Sequence, residues 1–147
     1  MYGCEAWSLT KKLENKLQLF ENSVLRQIVG PVFDIEANTW RRRHNEELRA
    51  LIQIPPIINV IKSYRLRWAG HVSRMSDERY PKVILNNEVG GRRNRGRPRK
   101  RWVDCVQESV EELDEPGEMW RELAEDRERW KGLCRAVMGH EAREPPE

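Results

Sequence analysis

The chain has 147 residues, a formal net charge of +3, 38% hydrophobic residues and 35% charged residues. This length allows one domain or two small helical lobes, and the high charge content is typical of amphipathic helices with solvated outer faces. Its three cysteines are too few and too widely spaced for a disulfide framework, and no apolar run reaches the roughly 18 residues of a membrane span.

The charge is distributed unevenly along the chain. Residues 1–40 carry a net charge of −1, residues 41–101 carry +12, and residues 102–147 carry −8. A middle third this basic indicates an anionic partner, and phosphate is the commonest one. Neutralisation by the acidic last third is the alternative interpretation. Because neither a signal peptide nor a membrane span is recognisable, we expect a cytoplasmic or nuclear location.

Apolar periodicity predicts three helices in the first half of the chain. The first helix follows Thr10 as its N-cap and ends at Gly30, and its apolar face comprises Leu9, Leu13, Leu17, Phe20, Val24 and Ile28. Residues 31–44 are predicted to form a loop, and a short helix from Asn45 ends before Pro55. A third helix is predicted over residues 57–75, with a core face of Ile57, Ile61, Tyr64, Trp68 and Val72.

The second half is predicted to contain shorter helices joined by a basic connection. Residues 80–85 favour a short helix, whereas residues 90–101 contain no apolar residue and should be flexible without a ligand. Helices from Trp102 and Trp120 follow, and Gly139 ends the last one. The predicted fold is all-α, with about five amphipathic helices and a flexible glycine/arginine-rich connection. Its regions are an N-terminal helical region (1–75), a basic linker (76–101), a C-terminal helical region (102–138) and a disordered tail (139–147).

The basic linker provides the first candidate for phosphate contact. Seven of the ten residues 92–101 are basic, namely Arg92, Arg93, Arg95, Arg97, Arg99, Lys100 and Arg101. Residues 95–98 (RGRP) are similar to the core of an AT-hook, in which glycine lets the backbone lie in the minor groove and the arginines reach its negative potential. We prefer the interpretation as a general phosphate-binding linker, because a helix begins almost at once at Trp102.

A second basic group lies on the predicted third helix. Arg65, Arg67 and Arg74 are candidates for contacts along a phosphate backbone. Trp68 is assigned to the core, because it shares a face with the helix's apolar residues. His71 is interpreted as a structural hydrogen-bonding residue, since no serine or cysteine is placed to make it a general base.

No arrangement of residues indicates catalysis. The cysteines and histidines lack the short-range pairs of a zinc site. The carboxylates of the last third alternate with Arg and Lys at spacings that stabilise helices, whereas metal-dependent polymerases and nucleases need carboxylates on a rigid scaffold. Phosphate-binding glycine motifs are also absent. We therefore expect no enzymatic activity, no metal, no cofactor and no small-molecule substrate.

Four segments of the chain carry recognisable motifs. Residues 2–10 (YGCEAWSLT) match Y-G-x-E-x-W-x-L-T, and residues 65–75 (RLRWAGHVSRM) match R-L-x-W-x-G-H-V-x-R-M. Residues 96–102 (GRPRKRW) match G-R-P-x-x-x-W, and residues 123–130 (LAEDRERW) match L-A-x-D-R-x-x-W. In their order and spacing these segments resemble the region downstream of the catalytic domain in reverse transcriptases of non-LTR retrotransposons.

The resemblance implies an origin in an endonuclease–reverse transcriptase polyprotein, an RNA-directed DNA polymerase. This chain would correspond to a truncated C-terminal portion, with the thumb-like helices and the region downstream of them. In such enzymes that region is expected to grip template RNA or target DNA rather than to perform chemistry. The family's polymerase signature, its endonuclease domain and its zinc knuckle have no counterpart in this sequence.

The sequence therefore predicts a nucleic-acid-binding fragment whose partners are RNA and/or DNA. The missing catalytic domain or another protein is a further expected partner. One alternative is a helical protein-interaction module, in which the helices from Trp102 and Trp120 pair with a partner and the basic segment neutralises charge within the chain. Another is a decaying element whose product has no function.

Overall fold

A computed structural model describes residues 2–86, 100–113 and 119–139. In these ranges the chain is predominantly helical, which confirms the predicted class. The helices are α1 (Lys11–Val29), α2 (Asn45–Ile52), α3 (Ile57–Ser73), α4 (Tyr80–Asn86), α5 (Trp102–Glu111), α6 (Trp120–Glu125) and α7 (Arg127–Ala136). A 3-10 helix (Cys4–Ala6) and two strands, β1 (Val32–Asp34) and β2 (Thr39–Arg41), complete the described elements. The predicted flexible connection and disordered tail fall largely outside the described residues.

The chain divides into two compact units. The hairpin unit is Thr10–Ile58, and the core unit is Met1–Leu9 together with Asn59–Glu147. This division differs from the sequence-based regions 1–75, 76–101 and 102–138. The difference arises because the first nine residues and α3 are bonded to the last helices, for instance through Trp102 and Trp130, and no local sequence pattern reveals such long-range contacts.

The hairpin unit contains α1, α2 and a short antiparallel hairpin between them. The helix α1 ends at Gly30, whose φ of 76° favours glycine and whose N–H donates to the Arg26 carbonyl. The hairpin pairs Phe33 with Trp40, and their rings meet edge to face at 5.4 Å. Residues 31–44 were expected to be a loop. The strands were missed because each has only three residues, too few for a visible alternation.

The predicted apolar face of α1 is exposed rather than buried. Leu13, Phe20, Val24 and Ile28 are exposed and Leu17 is half-buried, whereas Leu9, which precedes the helix, is buried as predicted. The buried residues of the helix itself are Asn22 and Leu25. The opposite, mixed face packs against α2, where Arg49 forms an ion pair with Glu21. The periodicity therefore predicted the helix correctly and its buried face wrongly.

The core unit is built around tryptophans and small aliphatic residues. Trp130 lies in this core, and its indole N–H donates to the Leu66 carbonyl at 2.8 Å. Ser63 Oγ donates to the Cys134 carbonyl at 2.9 Å, which ties α3 to α7. The buried cluster comprises Leu66, Ala69, Val106, Val110, Trp120, Leu123, Ala124, Trp130, Cys134 and Val137.

The helix α3 turns a different face to the core from the one that the sequence predicted. Ile61 and Val72 are buried as expected, but Tyr64 is 44% exposed and Trp68 is 41% exposed. Leu66, Ala69 and Gly70 are buried in their place. The assignment of Trp68 to the core is therefore corrected. Small residues on the actual core face, such as Gly70, allow the Trp130 ring to approach the helix backbone. A search for large apolar residues at the helix period does not detect them.

The last predicted helix is interrupted. The sequence predicted a single helix from Trp120 to Gly139, whereas α6 ends at Glu125 and α7 begins at Arg127. Asp126 lies between them in an extended conformation and accepts hydrogen bonds from the backbone N–H groups of Glu128 and Arg129. This side chain is the N-cap of α7. Among the described residues, no helix combines the length and the apolar character that a membrane span requires.

Candidate nucleic-acid interface

The basic segment, residues 92–101 of the predicted linker, lies mostly outside the described residues. This applies to Arg92, Arg93, Arg95, Arg97 and Arg99. Lys100 and Arg101 are described, and they immediately precede α5. Lys100 forms an ion pair with Glu108, whereas Arg101 is exposed and its backbone N–H donates to Asp104 Oδ2 at 2.8 Å. Asp104 thus fixes the point at which the basic segment joins the helix.

The three arginines predicted on α3 have different environments. Arg65 is only 2% exposed, and its guanidinium donates to the Trp7 carbonyl at 2.9 Å. Arg65 therefore stabilises the core unit, and its predicted role as a phosphate contact is corrected. Arg67 is exposed and lies 5.7 Å from the centre of the Tyr64 ring. Arg74 donates to the Ala124 carbonyl, which anchors the end of α3 to α6.

A cavity of about 740 Å³ lies in the core unit between α3, α4 and α5. No pattern in the sequence indicates it, because residues from five separate segments meet there. Most of the lining is apolar, and the polar groups are few. It comprises Ala6, Trp68, Val72, Pro81, Ile84, Leu85, Asn86, Arg101, Trp102, Val103, Asp104 and Arg121.

Described residues on both sides of residues 87–99 border this cavity. The chain leaves the described structure after Asn86, at the end of α4, and enters it again at Lys100. Asn86 and Arg101 both line the cavity. In the sequence, these two cavity residues stand on either side of residues 87–99, which contain five of the seven basic residues predicted between Arg92 and Arg101.

The cavity walls are held by hydrogen bonds from their aromatic and basic side chains. Trp102 Nε1 donates to the Glu5 carbonyl at 2.7 Å, so this ring is fixed in place. Arg121 lies 5.1 Å from the centre of the Trp120 ring, and its Nη2 donates to the Leu85 carbonyl at 3.4 Å. Its Nε is buried and has no acceptor among the described residues. A buried donor without an acceptor costs free energy.

The basic cluster of the hairpin unit, residues 41–43, is largely engaged within its own unit. Arg41 contacts Asp34 Oδ2 at 3.1 Å and both carboxylate oxygens of Glu47, at 2.6 and 3.1 Å. The guanidinium of Arg41 and the backbone N–H of His44 lower the pKa of Glu47 to about 2. Arg43 donates to the carbonyls of the turn after α1. This cluster therefore stabilises the hairpin unit.

The described residues contain no group of three or more His, Cys, Asp or Glu side chains that could hold a metal ion. All three cysteines are free and buried, and burial raises the pKa of Cys134. The ring of His71 lies 5.6 Å from that of Trp68, beside the cavity. Two features of the site, the accessible Trp68 ring and Arg121, give no signal in the sequence. Only the contacts between distant segments show them.

The chain is similar to an uncharacterized transposon-derived protein of Caenorhabditis elegans. The two are 30% identical over 138 residues, which cover 91% of this chain and 49% of that protein. The chain therefore spans about half the length of this relative. No protein-family model and no solved structure matches the chain itself. The similarity indicates an origin in a transposable element.

Proposed function

We propose that the chain is a nucleic-acid-binding fragment derived from the reverse transcriptase of a non-LTR retrotransposon. It grips template RNA or target DNA through phosphate contacts and performs no polymerase chemistry. The observation that carries the proposal is that Asn86 and Arg101, which stand on either side of the arginine-rich residues 87–99 in the sequence, line one cavity together with two tryptophans. Neutralisation of phosphates by such a segment depends little on the sequence of the nucleic acid.

Two further observations support this proposal. The relative is transposon-derived, and the motif residues of the sequence resemble the region downstream of the reverse transcriptase catalytic domain. The charge distribution agrees, because residues 41–101 carry a net charge of +12. The segment from Arg92 to Arg101 contributes seven of these positive charges.

The test is binding of the purified, nuclease-treated chain to labelled RNA, single-stranded DNA and A·T-rich duplex DNA across a salt series. One variant replaces Arg95, Arg97, Arg99 and Lys100 with Ala. A matched control loses the same number of positive charges from exposed positions of the hairpin unit, namely Lys11, Lys12, Lys16 and Arg42.

We expect the first variant to bind weakly and the control to bind as the parent does. Each lost phosphate contact flattens the slope of log K against log salt concentration by about 0.7 to 0.9, so four contacts flatten it by about 3. Equal losses in both variants, or no binding of the parent at low salt, would exclude the proposal. A strong preference for A·T-rich duplex would identify the segment as an AT-hook instead.

A second candidate function is self-association, and the exposed face of α1 favours it. Leu13, Leu17, Phe20 and Val24 follow one another at spacings of four, three and four residues, which is the seam spacing of a two-helix coiled coil. A second copy of α1 would cover this stripe. The helices from Trp102 and Trp120, which the sequence offers as an alternative partner surface, use apolar residues in the core. Sedimentation of the nuclease-treated chain over a range of concentrations tests this function, and a monomer at every concentration excludes it.

A further inference from the structure

We propose that the cavity binds an unpaired nucleobase stacked on Trp68, so that the protein prefers single-stranded to double-stranded nucleic acid. This inference rests on the proposed function, because the phosphates that lead to the base are held by the basic segment. It adds a ligand class and a binding position that phosphate contact alone does not provide.

The exposure of Trp68 is the first argument. Trp68 is 41% exposed, although the core of the same unit buries Trp120 and Trp130 almost completely. The ring lines the cavity rather than a flat surface. A large aromatic ring that is open to solvent beside a basic segment is the arrangement by which proteins stack bases without reading their sequence.

The size and lining of the cavity are the second argument. Its volume of about 740 Å³ lies within the range of about 300 to 1,000 Å³ that small-molecule sites occupy. The lining is mostly apolar, from Val72, Ile84, Leu85 and Val103, and it has few polar groups. A base offers an apolar face and a polar edge, so it matches such a lining better than a phosphate group would.

The polar groups of the lining are the third argument. Arg101 and Arg121 supply positive charge for the phosphates that flank a base, and the carboxylate of Asp104 supplies acceptor oxygens for its N–H groups.

The position of Trp68 in a cavity favours single-stranded over double-stranded nucleic acid. A base in a duplex is paired and stacked between its neighbours, so its face cannot reach a ring inside a cavity unless it is first extruded. An unpaired base meets no such cost. Arg101 and Arg121, which line the cavity, would contact the adjacent phosphates, and Trp68 would hold one base.

The experiment compares three labelled probes with the full chain: a single-stranded oligothymidylate, a strand of the same length with abasic residues in place of the bases, and a duplex of matched length. Trp68→Ala removes the ring, and Trp68→Phe retains an aromatic surface. Tyr64→Ala is the control, because Tyr64 is 44% exposed on the same helix and does not line the cavity.

We expect Trp68→Ala to weaken binding of the oligothymidylate about tenfold, since stacking on an aromatic side chain contributes an effect of this order per base. Its binding of the abasic strand and of the duplex should not change. Trp68→Phe should retain most of the affinity, and Tyr64→Ala should retain all of it. An equal loss for the abasic strand, or no loss for the oligothymidylate, overturns the inference.

The outcome for the proposed function is distinguishable from the outcome for the base site. If the parent binds none of the three probes at low salt, the proposed function fails. If it binds the abasic strand as tightly as the oligothymidylate, phosphate contact stands and only the base site fails. Photo-crosslinking of the parent to a strand that contains 5-iodouracil needs no variant. A crosslink at Trp68 or Trp102 supports the site, and crosslinks confined to residues outside the cavity overturn it.

Discussion

Gly70 provides room for the Trp130 ring on the core face of α3. A Cβ at this position would lie 2.5 Å from Trp130 Cδ1 and would overlap Nε1, and neither the ring nor the helix can easily move. The ring is buried, and its N–H is bonded to the Leu66 carbonyl. We expect Gly70→Ala to lower the free energy of unfolding by about 1 to 3 kcal/mol, the usual cost of overpacking. Denaturant unfolding measures this change.

Gly132→Ala is the matched control for this substitution. Gly132 also lies in a helix, α7, but a Cβ there meets no atom within 4 Å. Because alanine favours a helix interior over glycine, this substitution should raise the free energy of unfolding by up to about 1 kcal/mol. If Gly70→Ala stabilised the protein to the same degree, the close approach of Trp130 would be refuted.

The motif segments contact one another in the core unit, as Gly70 and Trp130 do. Trp102 bonds to the Glu5 carbonyl, Arg65 to the Trp7 carbonyl, and Arg74 to the Ala124 carbonyl. The motif residues are therefore partners of one another in the core unit. The sequence identified these residues by resemblance, but it could not give their roles, since each role depends on a partner about 50 or more residues away.

Asp126 accepts hydrogen bonds from Glu128 N at 3.0 Å and Arg129 N at 3.1 Å at the start of α7. These N–H groups have no partner within the helix, so their loss is costly. Asp126→Ala should lower the free energy of unfolding by about 0.5 to 2 kcal/mol, whereas Asp126→Asn should retain most of the cap. Thermal unfolding followed by circular dichroism distinguishes the two variants, and equal melting temperatures would contradict the assignment.

At the scale of elements, α1 shows that apolar periodicity predicts where a helix lies but not which of its faces is buried. The spacing of its apolar residues located the helix correctly, because the spacing reflects the helix period itself. It does not reveal which face is covered. In the hairpin unit the covered face holds Asn22, Leu25 and Arg26, and bonds such as Arg26 Nε to the Arg43 carbonyl at 3.0 Å attach it to the chain before α2. Polar packing of this kind gives no apolar signal.

Two substitutions in α1 test which face is buried. Leu25 is 7% exposed and Phe20 is 65% exposed. Leu25→Ala should therefore lower the free energy of unfolding by about 2 to 4 kcal/mol, as buried leucines do. Phe20→Ala removes more atoms but should cost less than about 1 kcal/mol, because most of its surface stays in water. Denaturant unfolding at a concentration where the chain is monomeric compares them, and a larger cost for Phe20→Ala would restore the face that the sequence predicted.

The contacts between β1, β2 and α2 predict how the hairpin unit responds to acid. Arg41 and the His44 backbone lower the folded-state pKa of Glu47 from 4.5 to about 2, and the Ala37 N–H and Arg41 lower that of Asp34. A lowered carboxyl pKa means that the folded state favours the ionised form. Its contribution to stability is present above about pH 4.5 and is lost as the pH falls towards 2.

We therefore expect Glu47→Gln to reduce the loss of stability of the hairpin unit between pH 4.5 and about 2. Unfolding by urea at a series of pH values measures it, and the ring of Trp40 in β2 provides a local signal. In an Arg41→Ala background the same substitution should change the pH dependence much less, because the principal partner is gone. An unaltered effect of Glu47→Gln in that background would show that Arg41 is not the cause.

At the scale of the whole molecule, the helical class followed from composition and periodicity, whereas the division into units did not. Composition and local period are properties of neighbouring residues, and so they survive in the sequence. The core unit joins Met1–Leu9 to residues far along the chain, and the cavity draws its lining from several helices. The basic segment is visible in the sequence as a run of arginines, but the cavity that Trp68 lines together with Asn86 and Arg101 is not.

The role of the first nine residues in the core unit leads to a prediction about truncation. Cys4 and Leu9 are buried, and Cys105 Sγ lies 4.0 Å from the Leu9 carbonyl. Removal of residues 2–9 would take away the acceptors for Trp102 and Arg65 and uncover the first turns of α5. We expect a maleimide to modify Cys105 much faster in the truncated chain than in the full chain. Cys134 serves as the internal control. It lies in α7 and is buried in the core, and its carbonyl accepts a hydrogen bond from Ser63. Peptide mapping after a timed reaction separates the two thiols. Equal protection of Cys105 in both chains would mean that the first nine residues are not part of the core unit in solution, and equal acceleration at both thiols would mean that their removal unfolds the unit as a whole.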